Sequence, residues 1–152
     1  MHLVTYLQFQ RASEITLGSS YTVISEGHIA DADVRWTTAR FSRQCAAHAD
    51  ALVPVLARLD APDESVPERL HIQGVAAART GPAGLLRDLL DLYQLGNLLD
   101  ITWSLVGQAG RAIRDHELLR VIDDCAAQTT AQLDWLRMRM KEAAPQTLLV
   151  AA

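Results

Sequence analysis

The chain has 152 residues, of which 49% are apolar and 21% charged, and it carries a net charge of −4 at pH 7. That suits one domain with its own core and is too apolar for a disordered segment; the acidic balance, with a best basic cluster of only Arg137, Arg139 and Lys141, gives no electrostatic reason to expect nucleic acid. No apolar run approaches about 20 residues and the N-terminus lacks a signal-peptide pattern, so no membrane span is expected, and with only Cys45 and Cys125 a reducing cytoplasm is the default.

Leu3, Leu7, Gln10, Glu14, Leu17, Tyr21 and Ile24 recur at steps of three and four, which predicts a first helix over 3–26 with a polar centre, ended at Gly27. Gly18-Ser19-Ser20 leaves a bend near residue 18 open. Asp31 or Asp33 is placed to accept bonds from the free N–H groups of a second helix over 33–59. Its inner stripe is Val34, Thr38, Phe41, Cys45, His48, Leu52, Val55 and Leu59, and Pro54 within it removes a backbone bond and predicts a kink.

Residues 60–82 hold Pro62, Pro67, Pro82, Gly74 and Gly81 and read as a connector, with Pro67 placed to open a short helix through Arg79. A connector this long can cross a bundle from end to end. The third helix, over 83–114, carries two adjacent stripes: Leu85, Leu89, Leu92, Gly96, Leu99, Trp103, Val106 and Gly110, and beside it Leu86, Leu90, Tyr93, Asn97, Asp100 and Ser104. One of them is the seam. Gly96, Gly107 and Gly110 suit close approach of another helix.

Asp115 caps a fourth helix over 116–144, with Leu119, Ile122, Ala126, Thr129, Leu133, Leu136 and Met140 inward and Pro145 as its stop. Trp36, Trp103 and Trp135 are expected as packing anchors. The apolar tail Thr147–Ala152 is expected to dock, or to build a dimer face with exposed leucines of the third helix. Thirteen arginines against the single Lys141 read as the coding bias of a GC-rich bacterial genome.

In helix order and in the long crossover, nearly the whole chain resembles the ferritin-like superfamily: an all-α four-helix bundle made of two helical hairpins, here one domain over 1–152. The resemblance implies a di-iron site, with a Glu from each of two helices and a Glu-x-x-His pair from each of the others. Iron asks for carboxylate oxygens and imidazole nitrogen, and i, i+3 spacing turns both inward.

Carried onto this sequence, Glu14 stands where the first Glu would, and His48 where the first His would, with Cys45 three positions before it. The third helix offers Asp100, with Asp91 and Asn97 less central. The fourth offers Thr129-x-x-Gln132, or Asp124 one turn earlier, and no His. The expected member is therefore one with a degenerate site and no cofactor, a non-enzymatic binding or structural protein acting as a homodimer or with a protein partner. The alternative is a metal-binding or oxidoreductase protein holding iron or manganese through Glu14, His48 and Asp100. Under the first reading these three join Gln10, Thr129 and Gln132 in a buried hydrogen-bond network.

Other motifs carry less. Glu68-Arg-Leu-His71 has the right spacing inside the connector, outside the bundle axis, and reads as a solvated pair. His116-Glu117 lacks the second His of a zinc-protease helix, and Arg79-Thr-Gly-Pro-Ala-Gly84 lacks the Lys and the strand of a phosphate loop. Ser19 and Ser20 have no nucleophile-elbow context. The Cys45 thiol, flanked by apolar residues, is expected to stay protonated beside His48. No catalytic residue is assigned.

Overall fold

The computed structural model describes residues 2–61 and 72–150. Among these the chain is all-helical: α1 (His2–Gly27), α2 (Ala32–Arg58), α3 (Gly81–Ala112), α4 (His116–Pro145) and a π-helical turn, Gln146–Val150. None of these helices is long and apolar enough to cross a membrane. The Glu68–His71 motif lies outside the described residues.

The helices form because each carries one buried stripe. In α1 the buried positions include Leu7, Gln10, Glu14, Leu17, Tyr21 and Ile24, and in α2 they run from Val34 to Val55 at helical spacing. In α3 the seam is the stripe from Leu85 to Gly110; its neighbour is half-buried or exposed throughout. α1 is continuous through Gly18, where a Cβ would stand 3.2 Å from that of Cys45. The small residue is needed there for close contact with α2, and no bend follows from it. Gly96 does the same between α3 and α4, since a Cβ there would meet Leu133 at 2.8 Å.

α1 packs on α2 and α3, and α4 packs on α3 and α2. His28 meets Asp88 at one end while Gln10 reaches the Leu99 carbonyl further down, so α1 and α3 are antiparallel. Arg139 meets Asp33 near one end of the α2–α4 pair and Arg58 meets Asp115 at the other, so that pair is antiparallel too. Two apolar clusters result. One holds Tyr21, Phe41, Leu89, Leu99 and Leu136, the other Leu7, Leu52, Trp103, Leu118 and Ile122. Between the two clusters lie buried polar residues: Gln10, Ser13 and Glu14 of α1, His48 of α2, Thr102 of α3, and Thr129 and Gln132 of α4.

Several local expectations are corrected. Asp31 is the N-cap of α2, but its side chain makes no cap bond. Asp31 and Asp33 instead face the Arg139 guanidinium, at 3.7 and 2.5 Å, where a charged partner competes with the helix N–H groups. Residues 72–79 are not helical, so the connector helix expected to reach Arg79 does not do so. Pro145 ends α4 without stopping the chain's coiling, which widens into the π turn. Trp36 is 65% exposed with Arg35 over its ring, two residues out of phase with the α2 stripe. Leu148, Leu149 and Val150 are exposed and do not dock on their own bundle.

The turn between α3 and α4 is set by backbone bonds. Arg114 N–H donates to the Arg111 carbonyl and Asp115 N–H to that of Gly110, with Arg114 at φ 56°, a left-handed termination that glycine fills most easily. Asp115 Oδ1 then accepts the Leu118 N–H at 3.1 Å as the cap of α4. Arg114→Gly is expected to raise the unfolding free energy by about 0.5–1 kcal/mol, and Asp115→Ala to lower it by about 1 kcal/mol. Urea titrations of the two variants check both signs.

Candidate functional site

The polar layer between the apolar clusters is organised by one carboxylate. Glu14 is fully buried, and its Oε1 accepts the Trp103 Nε1–H at 3.0 Å and the Gln10 Nε2–H at 3.4 Å. Gln10 Nε2 also lies 3.3 Å from the Leu99 carbonyl, which ties α1 to α3. Glu14 Oε2 stands 3.2 Å from His48 Nδ1, an ion-pair distance at which the N–H is not aligned for a hydrogen bond. On its other side His48 Nε2 is 2.8 Å from Gln128 Oε1. The Trp103 ring stands edge-on to the imidazole, at 6.3 Å between centroids.

Charge in this layer is shared unevenly. Burial lowers the His48 pKa, but Glu14 and then Gln128 outweigh it, and the result lies above the ordinary 6.5. The imidazole thus gains a proton where the carboxylate needs one nearby. The thiols move the other way. Burial first, then the Glu14 charge, pushes Cys45 far above the usual thiol range and Cys125 up to about 12. Both cysteines are free, buried and protonated, so neither supplies a thiolate.

One turn along, a second set hangs on Gln132. Its Oε1 accepts the Tyr21 O–H at 3.3 Å with the Cys45 Sγ at 4.0 Å, and its Nε2 donates to Gln44 Oε1 at 2.9 Å. Thr129 stays local, its hydroxyl donating to the Cys125 carbonyl.

Glu14 and His48 are therefore brought together, and Asp100 is not brought to them. It is half-buried on the second stripe of α3, and the inward position one turn on belongs to Trp103. Gln10 belongs to the Glu14 set and Gln132 to its neighbour. Gln128 was missed: it stands one residue off the α4 stripe and reaches His48 only through the length of its side chain.

Among the described residues no three His, Cys, Asp or Glu side chains are grouped to hold a metal ion. The donor set does not fit a di-iron group, because an indole N–H only donates and cannot ligate, and here it occupies one oxygen of the first carboxylate. Comparison with family models, curated proteins and solved structures finds no match for this chain.

Trp103→Phe should keep most of the packing and remove the shorter of the two hydrogen bonds to the buried Glu14 carboxylate, costing about 1–3 kcal/mol; Trp103→Ala adds a cavity and should cost about 3–5 kcal/mol. Because the His48 pKa is raised in the folded state, its stabilising contribution is full below 6.5 and is lost as pH rises through the raised value. Urea midpoints taken from about pH 6 to pH 9 should show His48→Gln costing most at the acid end and progressively less above it.

Proposed function

We propose that this chain is a ferritin-like bundle without a di-iron centre, a non-enzymatic protein whose central polar layer is structural and whose role is binding. The observation that carries the reading is the Trp103 Nε1–H on Glu14 Oε1 at 3.0 Å, where a metal-binding frame would need a ligand on α3. The connector's two ends support the ferritin-like plan: Arg58 lies beside Asp115, whereas Arg79 lies beside Asp88 and so near His28. Between them Val75 N–H donates to Ser20 Oγ and Ala78 abuts Gly27, a path along α1.

The binding role falls to the outer apolar faces. Leu98, Ile101 and Leu105 form an exposed stripe on α3, and Leu148 to Val150 are exposed beyond α4. These surfaces suit a homodimer or a protein partner.

One observation favours a second reading, a mononuclear metal site. Glu14 Oε2 and His48 Nδ1 face each other at 3.2 Å, and neither they nor Gln10 Oε1 makes a hydrogen bond. A carboxylate oxygen, an imidazole nitrogen and an amide oxygen are acceptable ligands for iron or manganese.

Elemental analysis separates the two. Protein purified after growth with added iron, manganese and zinc should carry substoichiometric metal; one ion per chain, lost in His48→Ala, would establish the second reading instead. Light scattering checks the surface role: the wild type should be larger than one chain, and Ile101→Arg should shift it to monomer.

A further inference from the structure

α3 packs against α1 and α4, and its seam of Leu99, Trp103 and Val106 is buried between them. On the side turned away from that seam, Leu98, Ile101 and Leu105 follow one another at steps of three and four and are 38%, 52% and 52% exposed. Gln94 and Gln108, both exposed, continue the same line one step beyond the leucines. From Gln94 to Gln108 no exposed residue of α3 is charged, since Asp100 is half-buried on the neighbouring stripe. A solvated helix face ordinarily carries charges. An apolar centre from which charge is depleted is the composition of the middle of a protein interface.

The order of the residues along this line selects the occupant. Gln94, Leu98, Ile101, Leu105 and Gln108 give the same series of side chains in either chain direction, with Ile101 at the centre and the glutamines at its two ends. A two-fold axis through Ile101, perpendicular to α3, therefore sets Ile101 on Ile101, each Leu98 on a Leu105 and each Gln94 on a Gln108. That self-complementarity is what a symmetric contact between identical chains requires, and an unrelated helix has no need of it. Each glutamine amide both donates and accepts, so the Gln94 and Gln108 pairs can close the apolar strip at both ends. The first charges beyond them on α3 have opposite signs: Asp91, which also holds Arg79 and Arg87, and Arg111, each ten residues from Ile101. Antiparallel packing brings each Asp91 level with the other copy's Arg111 and opposes the two helix dipoles, whereas parallel packing sets like against like.

We propose that two copies of this chain pair through the outer face of α3, antiparallel about a two-fold axis at Ile101. The dimer rests on the reading that the outer apolar faces carry the binding, and the central polar layer has no part in it.

Cross-linking of the full chain with a short bismaleimide tests the arrangement, because Cys45 and Cys125 are buried and leave an introduced surface cysteine as the reactive thiol. Ile101→Cys should cross-link to itself. Gln94→Cys and Gln108→Cys should each fail to do so alone, since identical positions then lie 14 residues apart along the paired helices, about 21 Å. Mixed and equilibrated, the two should give a cross-linked pair, with the circular dichroism spectrum of each variant still helical. Self-cross-linking of Gln94→Cys, or no product from the mixture of folded variants, would overturn the proposal; if the wild type were nonetheless a dimer, the proposed homodimer would stand with its interface elsewhere. Light scattering that finds the concentrated wild type as a single chain would also overturn it, and would leave a different protein as the partner of the outer faces.

Discussion

A carboxylate placed between two apolar clusters sets the terms for the rest of this bundle. Glu14 has no water to solvate it, so the fold must supply what water would have supplied. It does so with one side chain from each direction: Trp103 from α3, His48 from α2 and Gln10 from one turn earlier on α1. Each of those groups then needs its own setting. His48 calls in Gln128 from α4, so a single charge ends up fixing the relative register of all four helices. Apolar packing alone tolerates sliding and repacking, whereas the directional contacts of this layer form in one alignment.

The same charge explains what the centre does not do. It keeps a proton on His48 and helps to keep protons on Cys45 and Cys125. A thiolate nucleophile or ligand is thereby suppressed at the centre of the bundle.

Much of this was legible in the sequence because the helices are long and each stripe is regular. Glu14 and His48 stand in phase with leucines and aromatics, which marks a polar residue as inward-facing. The two leucine-rich stripes of α3 could not be ranked from spacing alone, since both are apolar; the ranking follows from Gly96 and Trp103, which fit only against a close neighbour. Asp100 is central and acidic in the sequence, but it stands on the outer stripe of α3, away from Glu14 and His48. The size of Trp36 suggests a packing anchor, but its phase on α2 sets it outside. His28 and Asp88 went unnoticed, although Asp88 stands among Leu85, Leu89 and Leu92 at the edge of the seam, where an acid needs a partner. That partner is 60 residues away in the chain, and no local pattern announces it.

The protonation state of the central imidazole decides between a structural layer and a metal site. Nitrogen-15 NMR of protein labelled in histidine reads the protonation of each ring nitrogen directly. At pH 6.5 the His48 ring should be predominantly doubly protonated, with both N–H groups present and unaltered by added ferrous or manganous ion. A neutral ring with a bare Nδ1 that shifts or broadens when the metal is added would contradict it.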